Sequence, residues 1–271
     1  MKSYLAGALA LSLTAGAFAA KQGAYPEHLS ADRGGKLIIA SIEALGGWDN
    51  WKSKRNIQYR RDGTRYETDG KVTHEVQFHK LTLPPEVKVR QESLRDGKRI
   101  VTGFDGSNGW VMEDGKPITD AKRVSGARNS SFGTQYMLCA PFKLADPGTI
   151  HEYLGSVKLS NGTFDKVKVT YRAGTGDNPS HVWTYYFNQK THFMERLDWS
   201  NTENTSHSIS EYGNFRKIDG LWWPMRRTNY ERNPKGDKGR RTSDLLYKNV
   251  RFNNDFAPDT FAKPVAEGSR R

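Results

Sequence analysis

The chain has 271 residues, 42 Lys and Arg against 30 Asp and Glu for a formal net charge of +12, and a single cysteine. One cysteine excludes an intramolecular disulfide, so burial alone holds the fold, and the length suffices for one large domain or two small ones. The basic balance favours anionic partners such as phospholipid headgroups, without choosing among them.

The opening stretch MKSYLAGALALSLTAGAFAAKQG has a basic start at Lys2, an apolar run from Tyr4, and small residues at Ala17 and Ala19. This is the pattern of a secretory leader, with cleavage expected between Ala19 and Ala20. The run is short for a membrane span, which needs about 20 apolar residues. No cysteine follows it to accept a lipid. The expectation is residues 1–19 as a leader and residues 20–271 as one soluble periplasmic domain that is not a lipoprotein.

Residues Asp32 to Leu45, DRGGKLIIASIEAL, bring Leu37, Ile38, Ile42 and Leu45 near one helical face, with Gly46 and Gly47 to end the helix. From Trp51 onward short alternating runs take over, punctuated at Asp62-Gly63, Asp69-Gly70, Asp96-Gly97, Asp105-Gly106, Asp114-Gly115, Asn161-Gly162 and Asp219-Gly220. Such spacing predicts consecutive antiparallel hairpins.

The rhythm stops between Asn129 and Leu144, where Phe132, Tyr136, Met137, Leu138, Cys139 and Phe142 predict a short helix and loop lying over the sheet. Cys139 has no neighbouring His in the sequence and reads as a buried structural thiol. Three later runs then alternate clearly. His181 to Asn188 puts Trp183, Tyr185 and Phe187 on one face; His192 to Trp199 does the same for Phe193, Leu197 and Trp199; Leu221 to Arg227 for Leu221, Trp223 and Met225. Pro224 predicts an edge or a bend. The densest basic run, RRTNYERNPKGDKGRR from Arg226 to Arg241, surrounds a Gly/Pro turn and reads as a solvated hairpin tip before it reads as a binding patch.

The search for catalytic chemistry is empty. The histidines at 28, 74, 79, 151, 181, 192 and 207 form no His-Glu-x-x-His motif. Ser107 lacks the Gly two residues before it that a nucleophile elbow needs. No phosphate-binding or dinucleotide glycine pattern follows a strand, and nothing suggests a zinc-ligand set or a recognition helix. Metal, cofactor and nucleic acid are therefore not expected. The 7 Trp, 12 Tyr and 12 Phe are more informative, because they give one side of the sheet a heavily aromatic surface.

Several segments together resemble the exported LolA/LolB-type superfamily of outer-membrane lipoprotein-sorting carriers. They are IEALGGWDNWKS, FDGSNGWVMEDG, the pair PFKLADPG and HEYLGS, TYYFNQKTHFMERLDW, YGNFRKIDGLWWPMRRTNYE and YKNVRFNNDFAPDTFAKP, in that order, from Gly34 to Pro264. The resemblance implies a mainly β fold with α (α+β): a strongly curved antiparallel sheet, an incomplete half β-barrel, with short helices on its concave apolar side. It also implies Trp110, Phe142, Trp183, Tyr185, Phe187, Trp199 and Trp223 as candidates to line a cavity. The chain departs from the carriers in its greater length, and from the anchored receptors in lacking a lipidated N-terminal cysteine.

The expected function is a non-catalytic carrier or sensor holding lipid acyl chains or a lipoprotein. Burial of about 14 carbons offers roughly 11 kcal/mol before competing terms are subtracted. The alternative is an envelope protein docking an anionic partner, such as a membrane surface, through its basic residues. A hydrolase using His181 or His192 with a cross-strand carboxylate ranks last.

Overall fold

The computed structural model describes residues 25–95, 97–173, 181–201, 207–233 and 236–265; the expected leader, residues 1–19, lies outside these, as do Asp96 and Lys235. Three helices come first: α1 (Glu27–Ser30), α2 (Arg33–Ala44) and α3 (Trp48–Lys52). The amphipathic helix expected from the sequence is α2. Asp32 caps it, its Oδ1 accepting from the Gly35 N–H at 2.7 Å, and Ile38 and Ile42, one turn apart, are buried.

Six strands follow: β1 (Asn56–Tyr66), β2 (Val72–Thr82), β3 (Val89–Arg95), β4 (Lys98–Phe104), β5 (Gly109–Glu113) and β6 (Lys116–Ile118). After them come α4 (Ala121–Cys139) and a single 3-10 turn, Phe142–Ala145. The chain ends on β7 (Thr149–Leu159), β8 (Gly162–Tyr171), β9 (His181–Asn188), β10 (Met194–Asn201), β11 (His207–Ile218), β12 (Leu221–Arg232) and β13 (Lys238–Phe252).

All 13 strands form one antiparallel sheet in the order β6-β5-β4-β3-β2-β1-β13-β12-β11-β10-β9-β8-β7. Neighbours in sequence are joined by hairpins in both halves, and the last strand, β13, pairs with the first, β1, to fuse them. Asn56 fastens that seam: its carbonyl accepts from Asn253 N–H at 3.0 Å and its Oδ1 accepts from Asn254 N–H at 2.7 Å. β6 and β7 are left as two free edges, so the barrel stays open. The one long connection, α4 with the 3-10 turn, carries the chain from one edge to the other and therefore crosses a face of the sheet.

That face is the apolar one. Leu29, Ile38 and Ile42 from the N-terminal helices, Trp51 from α3, Leu138 and Cys139 from α4, and Phe142 from the 3-10 turn share one buried cluster with inward residues of the sheet such as Tyr59, Tyr185 and Trp223. The expected half-barrel with helices on its concave side is thus the architecture observed.

Four local expectations meet the structure differently. Asp114-Gly115 and Asp219-Gly220 are hairpin turns as read, with φ of 48° and 75° at the first pair and 46° and 84° at the second, the double positive φ of a type I′ turn. Asp62-Gly63, by contrast, is no turn but the middle of β1: Asp62 is held on the outer face between Arg60 and Lys248, which removes its need to turn the chain. Pro224 is not on an edge, since β12 lies between β11 and β13; it pairs with Phe215, and the neighbouring Asn214 takes φ 54°.

The segment over the sheet is also longer than read. α4 begins at Ala121, where Asp120 accepts from Arg123 N–H at 2.8 Å, instead of near Asn129. Its first half has no apolar stripe to announce it. Gly109 of β5 makes the close approach possible: a Cβ there would stand 2.6 Å from the Val124 carbonyl oxygen.

Candidate functional site: the hollow under α4

The C-terminal half of α4 is tied to the sheet on both flanks. On one side the Tyr136 hydroxyl lies 2.6 Å from the hydroxyl of Tyr185 on β9, and Tyr171 of β8 donates to Tyr136. On the other, Gln135 Nε2 donates to the carbonyls of Thr82 at 2.9 Å and Glu86 at 2.7 Å. Tyr212 of β11 reaches the Met137 carbonyl at 3.3 Å. Between these ties the helix does not fill the concavity.

Two cavities lie along it, sharing Gly133 and Met137 as walls. The first, about 410 Å³, runs beside β9 and is lined by Phe132, Tyr136, His181 and Trp183, with Arg128 and Asn129 at its polar side. The second, about 290 Å³, faces β1, β12 and β13 and is lined by Tyr59, Leu138 and Tyr247 together with Arg61 and Arg227. Gly133 itself is exposed, and a Cβ added there would meet nothing within 4 Å. These volumes fall at the lower end of the roughly 300–1,000 Å³ of small-molecule sites.

Strand register explains the polar end of the second cavity. Arg61 pairs with Tyr247 on one side and Gln77 on the other, Tyr59 pairs with His79, and Arg227 pairs with Tyr212 and Leu245. All point to the concave face, because residues of the same parity on paired strands share a face. Gln77 Oε1 accepts from both Arg61 and His79 Nε2, and the His79 ring stacks on Tyr59 at 4.6 Å between centroids. Burial, reinforced by the nearby Arg61 and Arg227 charges, holds the His79 pKa well below the usual histidine range, so the ring is neutral. Burial likewise raises the Tyr59 phenol and pushes Tyr212 up to about 12. Burial also works against the charge of Arg227, but its Tyr247 and Tyr212 neighbours outweigh that and its pKa stands raised.

The seven aromatic candidates do not come together. Trp183 lines the larger cavity, and Trp199 stands next to it, 6.3 Å away between ring centroids and half-buried. Tyr185, Phe187, Phe142 and Trp223 are packed in the core, with Phe142 lying flat on Trp51 at 4.2 Å and Trp223 edge-on to Phe252 at 5.2 Å. Trp110 is on the other face of the sheet, in a small cluster with Val101 and Met112, where its Nε1 donates to the Phe261 carbonyl at 3.0 Å.

Cys139 is wholly buried, and burial pushes its thiol far above the ordinary cysteine range. His181 lies edge-on to Trp183 and Trp199, while His192 is exposed in the turn after β9, so the two histidines stand at opposite ends of that strand. Among the described residues, no group of three or more His, Cys, Asp and Glu is placed to hold a metal ion, and no helix is long and apolar enough to cross a membrane. The cavity arginines escaped the sequence reading, although Arg61 shares the inward phase of Tyr59 two residues earlier, and that phase was the signal available.

An antiparallel half-barrel with its concave face roofed by a helix is the LolA-like fold, and solved structures carry the same arrangement. A DUF1329 family protein from Desulfovibrio piger superposes with a TM-score of 0.55 at 11% identity, covering 85% of this chain and 97% of that one. A LolA superfamily protein from Nitrosomonas europaea gives 0.54 at 12%, covering 84% and 97%. A domain assigned as an outer membrane lipoprotein-sorting protein from Vibrio parahaemolyticus gives 0.50 at 10%, covering 83% and 97%. At these identities the likeness is one of fold. By sequence, residues 99–220 match a family of unknown function (DUF6503), and no curated protein matches the chain.

Proposed function

We propose that the protein is an exported, periplasmic, non-catalytic carrier or sensor that holds the acyl chain of a lipid or lipoprotein in the hollow between α4 and the sheet. The observation that carries this reading is the pair of cavities that share Gly133 and Met137 as walls and are lined by Phe132, Tyr136, Trp183, Tyr59 and Tyr247. An aromatic and thioether lining with a few polar groups, Arg61 and Arg227 in one cavity and Arg128 and Asn129 in the other, suits an amphiphile. The fold supports it too, since the Vibrio parahaemolyticus domain that shares it is assigned to lipoprotein sorting. Of the aromatic candidates, Trp183 lines the cavity beside β9 and Trp199 stands next to it, which supports a role for this pair in the proposed site.

The basic hairpin of β12 and β13 gives less support to docking as the main role. Arg240 lies 2.6 Å from Glu231, Lys238 2.9 Å from Glu211 and Arg226 2.9 Å from Asp244, so much of its charge is already answered.

The test is direct. Protein purified from an exporting host and extracted with organic solvent should release lipid detectable by mass spectrometry, and the stripped protein should take up a fluorescent fatty acid with saturation at one site. A preparation that carries no lipid and takes up no probe overturns the reading.

A further inference from the structure

Consecutive residues on β1 and β12 send their arginines to opposite faces of the sheet, and the two faces answer them differently. On the outer face, Arg60 Nε lies 2.6 Å from Asp62 Oδ1 and Lys248 Nζ 2.6 Å from Asp62 Oδ2. Arg226 Nη2 lies 2.9 Å from Asp244 Oδ1, and Arg241 pairs with the other oxygen of that carboxylate. Each of these four outward cations has an anion.

Inside, Arg61 and Arg227 have only neutral company. Arg61 donates to the Gln77 side-chain carbonyl, Arg227 is hydrogen bonded to Tyr212, and Arg227 Nε is buried without a partner. Neither is ion-paired to a carboxylate among the described residues. Register sets them on the two sides of β13, Arg61 beside Tyr247 and Arg227 beside Leu245, both walls of the same 290 Å³ cavity. Gly63, the next inward residue after Arg61 and the partner of Leu245, adds no side chain to crowd them. Both arginines are half-buried, and guanidinium forks suit carboxylate and phosphate oxygens.

We propose that the occupant of the hollow is an anionic amphiphile whose head, a carboxylate or a phosphate, is bound by Arg61 and Arg227 while its chain passes Gly133 and Met137 toward Phe132 and Trp183. This inference rests on the carrier reading and adds the chemistry of the cargo to it. The phenol groups of Tyr59, Tyr212 and Tyr247 stand near the two arginines and can supply further hydrogen bonds.

The experiment compares heads on one chain length. The purified chain, stripped of lipid, is titrated with myristate, tetradecyl phosphate, 1-tetradecanol and inorganic phosphate, with tryptophan fluorescence as the readout. At least one of the two anionic amphiphiles should bind about tenfold or more tightly than the alcohol, and the one that does identifies the head as carboxylate or phosphate. Arg61→Gln and Arg227→Gln should each shrink that preference, and Arg227→Lys should keep part of it. If the alcohol binds as well as both anions, or if the folded Gln variants keep the full preference, the anion site is wrong and the carrier reading stands. Tight binding of inorganic phosphate alone would instead mark a site for a soluble anion and overturn the amphiphile. Failure of every tetradecyl compound to bind overturns the carrier reading itself. The wild-type ranking decides the matter even where a variant does not fold.

Discussion

Tyr136 of α4 and Tyr185 of β9 hold their hydroxyls 2.6 Å apart in the interior, and Tyr171 donates to the same Tyr136 oxygen. Tyr136 is therefore the hub by which the roof of the hollow grips its floor. Tyr136→Phe leaves the wholly buried Tyr185 hydroxyl without its partner, which costs about 1–3 kcal/mol. Tyr185→Phe leaves Tyr136 still bonded to Tyr171 and should cost less. Urea unfolding of the two variants and their double mutant checks the order, and equal or inverted costs would refute the hub.

Phe142 and Trp183 make a contrasting pair. Phe142 lies flat against Trp51 in the filled part of the concavity, 8° from parallel, whereas Trp183 borders open space. Phe142→Ala should cost about 3–5 kcal/mol of stability, as large truncations in packed cores do. Trp183 is buried against Tyr136 and Trp199 but also borders the cavity, so Trp183→Ala should cost less stability than Phe142→Ala. Its effect belongs instead on uptake of a fluorescent fatty acid, expected to weaken several-fold. Equal stability losses with unchanged uptake would place Trp183 in the core and not in the site.

How much of this was legible follows from what sequence patterns encode. Alternation is local, so β9 could be read with its observed ends at His181 and Asn188, and Asp114-Gly115 announced its own turn. What alternation fixes is which side chains share a face; it does not say what covers that face. Tyr185, Phe187 and Trp223 point to the concave side, yet α2, α3 and the 3-10 turn pack over them, and that depends on contacts distant in sequence. Asp62-Gly63 gave a misleading local signal because its tertiary partners Arg60 and Lys248 decided its conformation, and Pro224 could not announce that β12 lies between two strands. Arg61 and Arg227 come together only through the register of β13, which no local pattern contains.

Cys139 is expected to be inert in the folded protein. It is wholly buried among Leu138, Phe142 and Leu144, and its thiol is held in the protonated form, so it presents no thiolate to a reagent. A chromogenic disulfide reagent at pH 8 should find no reactive thiol in the native state and one per chain in guanidinium. Fast stoichiometric labelling of the native protein would show that the interior opens there.

His79 should give stability a pH dependence of definite sign. Burial first, then the Arg61 and Arg227 charges, depress its folded pKa well below the unfolded value of 6.5. Below pH 6.5 the unfolded chain takes up a proton that the folded chain refuses, so the unfolded state binds more protons and stability falls as pH falls, by up to about 1.4 kcal/mol per pH unit. Above that pH both states are neutral and this contribution is flat. His151, whose pKa burial also lowers, adds a term of the same sign, and the depressed carboxylates of Asp62, Glu92 and Asp165 lose theirs only lower, as pH drops through the carboxylate range. The difference between wild type and His79→Gln isolates the residue. Between pH 7 and 5 the wild type should lose distinctly more stability in urea titrations than the variant does. Parallel curves for the two proteins would mean that His79 takes up its proton in the folded state as readily as in the unfolded one.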